Sequence, residues 1–216
     1  MVHILSETPS IANQFIRELR DSNIQLDRLR FRRNMERLGE ILAYEISKTF
    51  DYSGQDVETP LGIANVEIAP ERIVLATILR AGLPMHQGML NYFDQADNAF
   101  VSAYRAHHED GSFEIRMQYL TSPKLDNAIL IIVDPMLASG ASIDKTIKSL
   151  RQQGKPSAIH VAAAIASKDG LEKLVRRHPE IHFWLGAVDE ELTAKSYIVP
   201  GLGDAGDLSF GQKEQD

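Results

Sequence analysis

Hydrophobic positions along this chain follow two kinds of pattern, and the change between them divides it. Near the start, Ile11, Phe15 and Leu19 recur at helical spacing and predict a first helix. A second helix is expected from about Asp27 to Phe50, with Leu38, Ile41, Leu42 and Ile46 on one face. The polar stretch Asp51 to Glu58 reads as a loop. Beyond it the apolar residues bunch into short runs, beginning with Ile73 to Leu79 (IVLATIL), followed by a helical segment to about Leu90. Strands are expected at Ala99 to Tyr104, Ile129 to Val133, Ile159 to Ala166 and Ile181 to Val188. Phe113, Ile115, Met117 and Tyr119 alternate strictly with polar residues, as in a half-buried strand, after the turn-forming Glu109-Asp110-Gly111-Ser112. Ile143, Ile147 and Leu150 mark a helix closed by Gly154 and Pro156, and Lys168 to Arg177 a helix ended by Pro179. The C-terminal tail is rich in glycine.

Apolar strands alternating with helices predict an α/β protein with a mostly parallel sheet covered on both faces. Such sheets bind ligands at the carboxyl ends of their strands. The loops after Leu79, Tyr104 and Val133 are therefore the places to search for chemistry.

Composition narrows the function classes. The chain has 216 residues, 44% hydrophobic and 25% charged, which fits an ordinary globular protein of one large domain or a domain with a small appendage. There is no cysteine, so disulfides and thiolate metal sites are excluded and a reducing, cytoplasmic setting is expected. The N-terminus MVHILSETPS lacks the pattern of a signal peptide, and runs such as Ala128 to Val133 are too short to span a bilayer, so no membrane partner is expected. A net charge of −7 argues against a broad grip on nucleic acid but leaves room for a small anionic substrate held by local N–H groups and arginines.

The strand ending at Val133 runs into Asp134-Pro135-Met136-Leu137-Ala138-Ser139-Gly140-Ala141-Ser142, which opens a helix. Small residues let the backbone approach a ligand, and a helix N-terminus offers unpaired N–H groups and a positive dipole end. Ser139 and Ser142 add hydroxyls, and Asp134 could accept hydrogen bonds from ribose hydroxyls. The ordinary alternative is a strand-to-helix turn with serine as the N-cap. The loop has neither the Gly-Lys-Ser/Thr ending of a Walker motif nor a GxGxxG fingerprint.

IVDPMLASGAS resembles the phosphoribosyl pyrophosphate (PRPP) motif of type I phosphoribosyltransferases. The proline after the first acidic residue is similar to the uracil phosphoribosyltransferase branch. In that branch Ala-Thr-Gly-Gly-Ser usually follows, where this chain has Ala138-Ser139-Gly140-Ala141-Ser142, so a methyl at 141 is expected to tighten the cradle. Ile78-Leu79-Arg80-Ala81-Gly82-Leu83 is similar to the loop that holds pyrophosphate, with Pro84 replacing the usual glycine at a place that suits a first helical turn. Tyr104-Arg105 resembles the arginine that reaches PRPP from the strand before a hairpin. Tyr197-Ile198-Val199-Pro200-Gly201-Leu202-Gly203-Asp204-Ala205-Gly206-Asp207 resembles the uracil loop almost residue for residue. Leu208 and Gln212 depart from the usual basic residue and threonine. His107 and His108, adjacent on a strand, would point to opposite faces, so one metal site using both is not expected.

The resemblance, close from Ile73 to Gly211, implies the type I phosphoribosyltransferase fold, with a mostly parallel sheet flanked by helices, a β-hairpin arm over Ala106 to Ser122 and an N-/C-terminal hood. One domain over 1–216 is expected, with a helical segment at 1–58, a core at 59–188 and the base loop and tail at 189–216. It implies PRPP binding by Arg80, Arg105, Asp134 to Ser142 (Asp134, Pro135, Met136, Leu137, Ala138, Ser139, Gly140, Ala141 and Ser142) and Asp204. Uracil would meet Ile198, Gly203, Asp204 and Ala205. Charge stabilisation and positioning would fall to Asp134, Arg105 and Asp204. Magnesium would be held mainly by PRPP, with no protein ligand assigned. A homodimer or higher oligomer and a GTP effector are further implications. The implied reaction joins uracil to PRPP, giving UMP and pyrophosphate. The alternatives are a transferase for a purine or orotate, an RNA-binding regulator of pyrimidine genes on the same fold, and a weakly active paralogue.

Overall fold

The computed structural model describes residues 1–69, 72–107 and 113–212, with the backbone alone at 103–107 and 113–117. The first strand, β1 (Val2–Ile4), precedes two helices, α1 (Ile11–Arg20) and α2 (Arg28–Ser47). Next come β2 (Ser53–Thr59), β3 (Gly62–Ile68), β4 (Ile73–Leu79), α3 (Leu83–Leu90), β5 (Asp97–His107) and β6 (Phe113–Thr121). The second half contains β7 (Ile129–Val133), β8 (Met136–Leu137), α4 (Ala141–Leu150), β9 (Ala158–Ser167), α5 (Lys168–Arg177) and β10 (His182–Asp189). The short β11 (Glu191–Leu192), β12 (Ile198–Val199) and α6 (Ala205–Phe210) follow.

The central sheet runs β1-β10-β9-β7-β4-β5-β6, with β8 also on β9. Every pairing is parallel except β5 with β6, which forms the hairpin. Alternation along the buried strands divides the core in two. Leu75, Ile131 and Val133 face α2 and α3, meeting Leu38, Leu42, Ile46, Met85 and Met89. Val74, Ala76, Ile78, Leu130 and Ile132 face α4 and α5, meeting Ile143, Ile147, Leu150 and Leu174. With both faces covered, the central strands read as unbroken apolar runs, and each fully buried Leu or Ile contributes roughly 1.5–3 kcal/mol.

One expectation needs correction, and two features beside it were not read from the sequence. The stretch Asp51 to Glu58 is not a loop: most of it is β2, paired with β3 from Ser53↔Ile68 to Thr59↔Gly62. Nearly every residue of this hairpin is exposed, so there is no buried face to impose an alternating pattern. The N-terminus opens with a strand, too short to leave a periodic signature, in register with β10 (Val2↔Phe183). On α1 the buried stripe is Ala12, Ile16 and Leu19, while Ile11 stands exposed and Phe15 sits half-buried under Arg37. Ala12, too small to register as an anchor, is fully buried in the core.

The start of α1 is fixed by a reciprocal cap between Ser10 and Asn13, and Asp27 caps α2 by accepting from the N–H groups of Leu29 and Arg30. Glu18 joins the two helices. Its buried carboxylate accepts from Arg30 Nε and Nη2, Asn34 Nδ2 and Gln14 Nε2, and these bonds hold its pKa down at about 2.

Candidate functional site

Strand order decides which loops meet. With β7, β4 and β5 side by side and parallel, their following loops emerge together at one edge of the sheet. The end of β10 lies beyond β9 on the same edge.

The loop after β7 is stitched to β9 before it turns. Asp134 donates its N–H to Ala162 O at 3.1 Å, and Pro135 O accepts from Ala164 N and Ile165 N at 3.1 and 3.0 Å. β8 then pairs Met136↔Ile165 and Leu137↔Ala166. Asp134 is buried, and its Oδ1 accepts from Met136 N at 3.2 Å. The helix N-cap is Gly140, in the left-handed conformation at φ +75, with no side-chain cap. Ser139 is therefore not the N-cap that the ordinary turn requires; its Oγ stands 3.5 Å from Ala141 N. Positive φ falls on Gly140 and not on Ala141, which is the first helical residue, so the extra methyl at 141 meets no backbone restriction.

Behind this loop lies α5. Ser167, fully buried, donates from Oγ to Ala138 O at 2.6 Å and accepts from Gly170 N at 3.1 Å. A Cβ at Gly170 would lie 1.9 Å from Ala138 O, so only glycine permits this contact. Asp144 of α4 makes a second tie, accepting from His178 Nε2 at 2.8 Å, Lys148 Nζ at 2.7 Å and Arg177 Nη1 at 3.2 Å. Burial works against its ionisation, but the bonds from Lys148 and His178 prevail and hold the carboxyl below its usual range.

After β4 the chain turns through a cis Leu79–Arg80 peptide into α3, whose first turn carries Pro84 as expected. Arg80 reaches α6: Nη2 donates to Gly211 O at 3.2 Å and stands 3.5 Å from the Asp207 carboxylate. Arg105 lies in β5, its backbone in register with Ile115; its side chain, and His107's, lie outside the described residues, as does His108 altogether.

The C-terminal loop begins where β12 pairs antiparallel with β11. Ile198 is buried, the Val199–Pro200 peptide is cis, and Gly201 and Gly203 adopt positive φ. Asp204 caps α6, its Oδ1 accepting from Gly206 N at 2.8 Å and Asp207 N at 3.0 Å; Ala205 beside it is buried. A cleft of about 700 Å³ separates this loop, at Pro200, Gly203 and Asp204, from Ser22, Gln25 and Leu26 of the α1–α2 connection. The N-terminal helices hold the C-terminal segment from outside: Arg32 Nη1 donates to Ser209 O at 2.7 Å, and Arg20 grips Asp189 and Gly201. Arg20 and Asp189 were not among the sequence candidates. Asp189 ends a parallel strand, the position that identified Asp134, and the same rule applied to β10 finds it.

Among the described residues, no group of three or more His, Asp or Glu side chains could hold a metal, and no helix is long and apolar enough to cross a membrane.

Comparison with known proteins bears on this assembly as a whole. The family model described as uracil phosphoribosyltransferase matches residues 6–212. A uracil phosphoribosyltransferase of Porphyromonas gingivalis is 49% identical over 214 residues, covering 99% of each chain. One from Thermococcus gammatolerans is 35% identical, over 97% of this chain and 93% of its own. Among solved structures, the AQ2163 protein of Aquifex aeolicus superposes with a TM-score of 0.87 at 29% identity, over 98% of both chains. A hypoxanthine phosphoribosyltransferase of Staphylococcus aureus, at 14% identity and a TM-score of 0.50, covers 73% of this chain and shares the fold. A parallel sheet with this set of loops at one edge, matched in sequence almost from end to end, makes the chain a member of the uracil phosphoribosyltransferase family.

Proposed function

We propose that this protein transfers the 5-phosphoribosyl group of PRPP to N1 of uracil, giving UMP and pyrophosphate in pyrimidine salvage, and that the three loops divide the work. The bond from C1 of ribose to pyrophosphate breaks, the bond from C1 to N1 forms, and the N1 proton is lost. No covalent enzyme intermediate is needed, so the contribution of the protein is positioning and charge stabilisation. In this reading Asp134 to Ser142 hold the 5-phosphate and ribose, through the uncapped N–H groups at the start of α4 and the hydroxyls of Ser139 and Ser142. Asp134 meets the ribose hydroxyls and the positive charge that develops on the ring, and Arg80 and Arg105 bind pyrophosphate. Uracil lies against Ile198 and Gly203 to Ala205, with Asp204 also meeting PRPP. The single domain over 1–216 belongs to the same reading.

The observation that carries this is the way the segment after the base loop closes on the pyrophosphate loop: Arg80 bonds to Gly211 O at the end of α6, and a Cβ built on Gly206 would stand 3.9 Å from Ala81 Cβ. Magnesium, when bound with PRPP, would neutralise the departing pyrophosphate. In this reading phosphate oxygens of PRPP and waters supply most of its ligands, since Mg²⁺ keeps waters readily. Cytoplasmic residence, GTP response and a homo-oligomer complete the proposal on the strength of the family resemblance. Exposed apolar side chains on the β2–β3 hairpin, among them Leu61 and Ile63, are surface that an oligomer contact would cover.

The test is UMP formation from uracil and PRPP by the purified chain and by Asp204→Ala. Turnover with uracil, reduced at least about tenfold in the variant, is expected. Turnover with orotate or a purine base in place of uracil would favour the other-base alternative. Salt-dependent RNA binding without turnover would favour the regulator.

A further inference from the structure

We propose that Arg20 and Asp189 are a positioning pair for base recognition, holding Gly201 by both its N–H and its carbonyl so that the backbone around it points correctly at uracil. The inference rests on the reading that residues 198–205 hold the base.

Uracil presents two carbonyls and an N–H, and a glycine-rich loop answers them largely with main-chain groups. Such groups have no rotamers. Where they point is set by the path of the chain, and at this loop that path is fixed from behind. Arg20, the last residue of α1, sends Nη2 to Asp189 Oδ1 at 2.7 Å and Nη1 to Asp189 Oδ2 at 2.8 Å. The same Nη1 donates to Gly201 O at 3.0 Å, and Gly201 N donates to Asp189 Oδ2 at 2.8 Å. Guanidinium, carboxylate and one loop residue thus form a closed ring that engages both polar backbone groups of Gly201. Gly201 sits at φ +57, and a Cβ there would lie 2.2 Å from Ile198 O, so the ring holds the chain in a conformation that other residues cannot take.

The side chain of Asp189 is 6% exposed and that of Arg20 23%, so water competes weakly for these bonds. A planar fork is required. Lysine carries one nitrogen on a shorter stem, so it could not replace both parallel bonds to the Asp189 carboxylate while also holding Gly201 O. Neither residue touches the 134–142 loop through these bonds, so the effect should fall on uracil and spare PRPP. That asymmetry distinguishes positioning from a merely structural staple.

The experiment is steady-state kinetics and thermal melting of the full chain as Arg20→Lys, with Asp204→Ala alongside. Arg20→Lys should raise KM for uracil by about tenfold or more while KM for PRPP stays within about twofold and Tm changes little. Because removing Arg20 outright leaves a buried carboxylate and endangers folding, Arg20→Ala is assayed with added methylguanidinium, which should restore the uracil KM. A uracil KM unchanged in Arg20→Lys overturns the proposal, as does a rise in both KM values together with a fall in Tm. If Asp204→Ala also leaves the uracil KM unchanged, the base-loop reading itself fails; if Asp204→Ala raises it and Arg20→Lys does not, only the clamp fails.

Discussion

Replacing Gly170 by alanine should damage PRPP binding although the residue lies in α5 and faces away from the substrate. By helix propensity alone the change would stabilise, because alanine is favoured over glycine inside a helix by roughly 0.5–1 kcal/mol. The packing runs the other way. The new Cβ would stand 1.9 Å from Ala138 O, where real Cβ contacts essentially never fall below 3.0 Å, so helix and loop must separate by about 1.1 Å. That displacement also pulls apart the Ser167 bond to Ala138 O, 2.6 Å long. Overpacking of this kind costs about 1–3 kcal/mol, and a misplacement near 1 Å at a reacting site can cost on the order of a hundredfold in rate. A net loss of about 2 kcal/mol should lower Tm by ~4–8 °C in a chain of this size. The assay is KM for PRPP and kcat beside a melt, with Gly154→Ala as the control. Gly154 has φ +141, and a Cβ there would lie 2.8 Å from Asp126 N, so it is also strained, but it sits far along the chain past α4. Gly170→Ala should raise KM for PRPP by about tenfold or more, and Gly154→Ala should lower Tm without doing so. Equal PRPP affinity in the two variants would refute the link between α5 and the phosphate loop.

Ser167→Ala removes both the donor to Ala138 O and the N-cap of α5, so a loss of about 1 kcal/mol and a several-fold rise in PRPP KM are expected, checked by melting and kinetics. Acid should unfold the protein through His160, which burial, with His182 and His3 nearby, pushes down to about 4. The unfolded chain takes up protons near the ordinary 6.5 while the folded one resists, so stability falls as pH drops from about 6.5 towards 4, by ~3 kcal/mol at most from this group; denaturant titrations across that range on the parent and on His160→Gln should differ in slope. Excess chelator should stop UMP formation, and restored magnesium should return it; an unchanged rate would count against metal neutralisation of pyrophosphate.

The parts legible in the sequence were those where burial imposes a pattern. β4, β7 and β9 lie in the middle of a parallel sheet, so their apolar runs stood out, and the rule that ligands gather at carboxyl ends led directly to Arg80 and Asp134. The hairpin of β2 and β3 failed to register because its two faces are both in water. The N-cap of α4 is Gly140 and not the serine of the ordinary alternative, because the loop first pairs with β9 through β8 before the helix begins. The pairing of Arg20 with Asp189 was invisible for another reason. They are separated by 169 residues, and a lone arginine at a helix end looks the same whether it meets solvent or a buried carboxylate.

This distribution of charge explains how a chain with a net charge of −7 can suit a polyanionic substrate. Several arginines are committed to buried carboxylates: Arg20 to Asp189, Arg30 to Glu18, Arg177 to Asp144. The first ties the base loop to α1, the second joins α1 to α2, and the third joins α5 to the first turn of α4. Two of the carboxylates, Asp144 and Asp189, sit directly under the segments assigned to sugar phosphate and base, each collecting three or more donors. Beside Arg80 and Arg105, the groups left to face the ligands are then main-chain N–H groups, the dipole of α4 and a few hydroxyls, which add nothing to net charge. Backbone recognition is only as accurate as the scaffold beneath it, since no side chain can rotate to correct an error. Substitutions at Arg20, Ser167 or Gly170 should therefore alter substrate affinity as severely as substitutions in the loops, and each should act on the one substrate whose loop it supports.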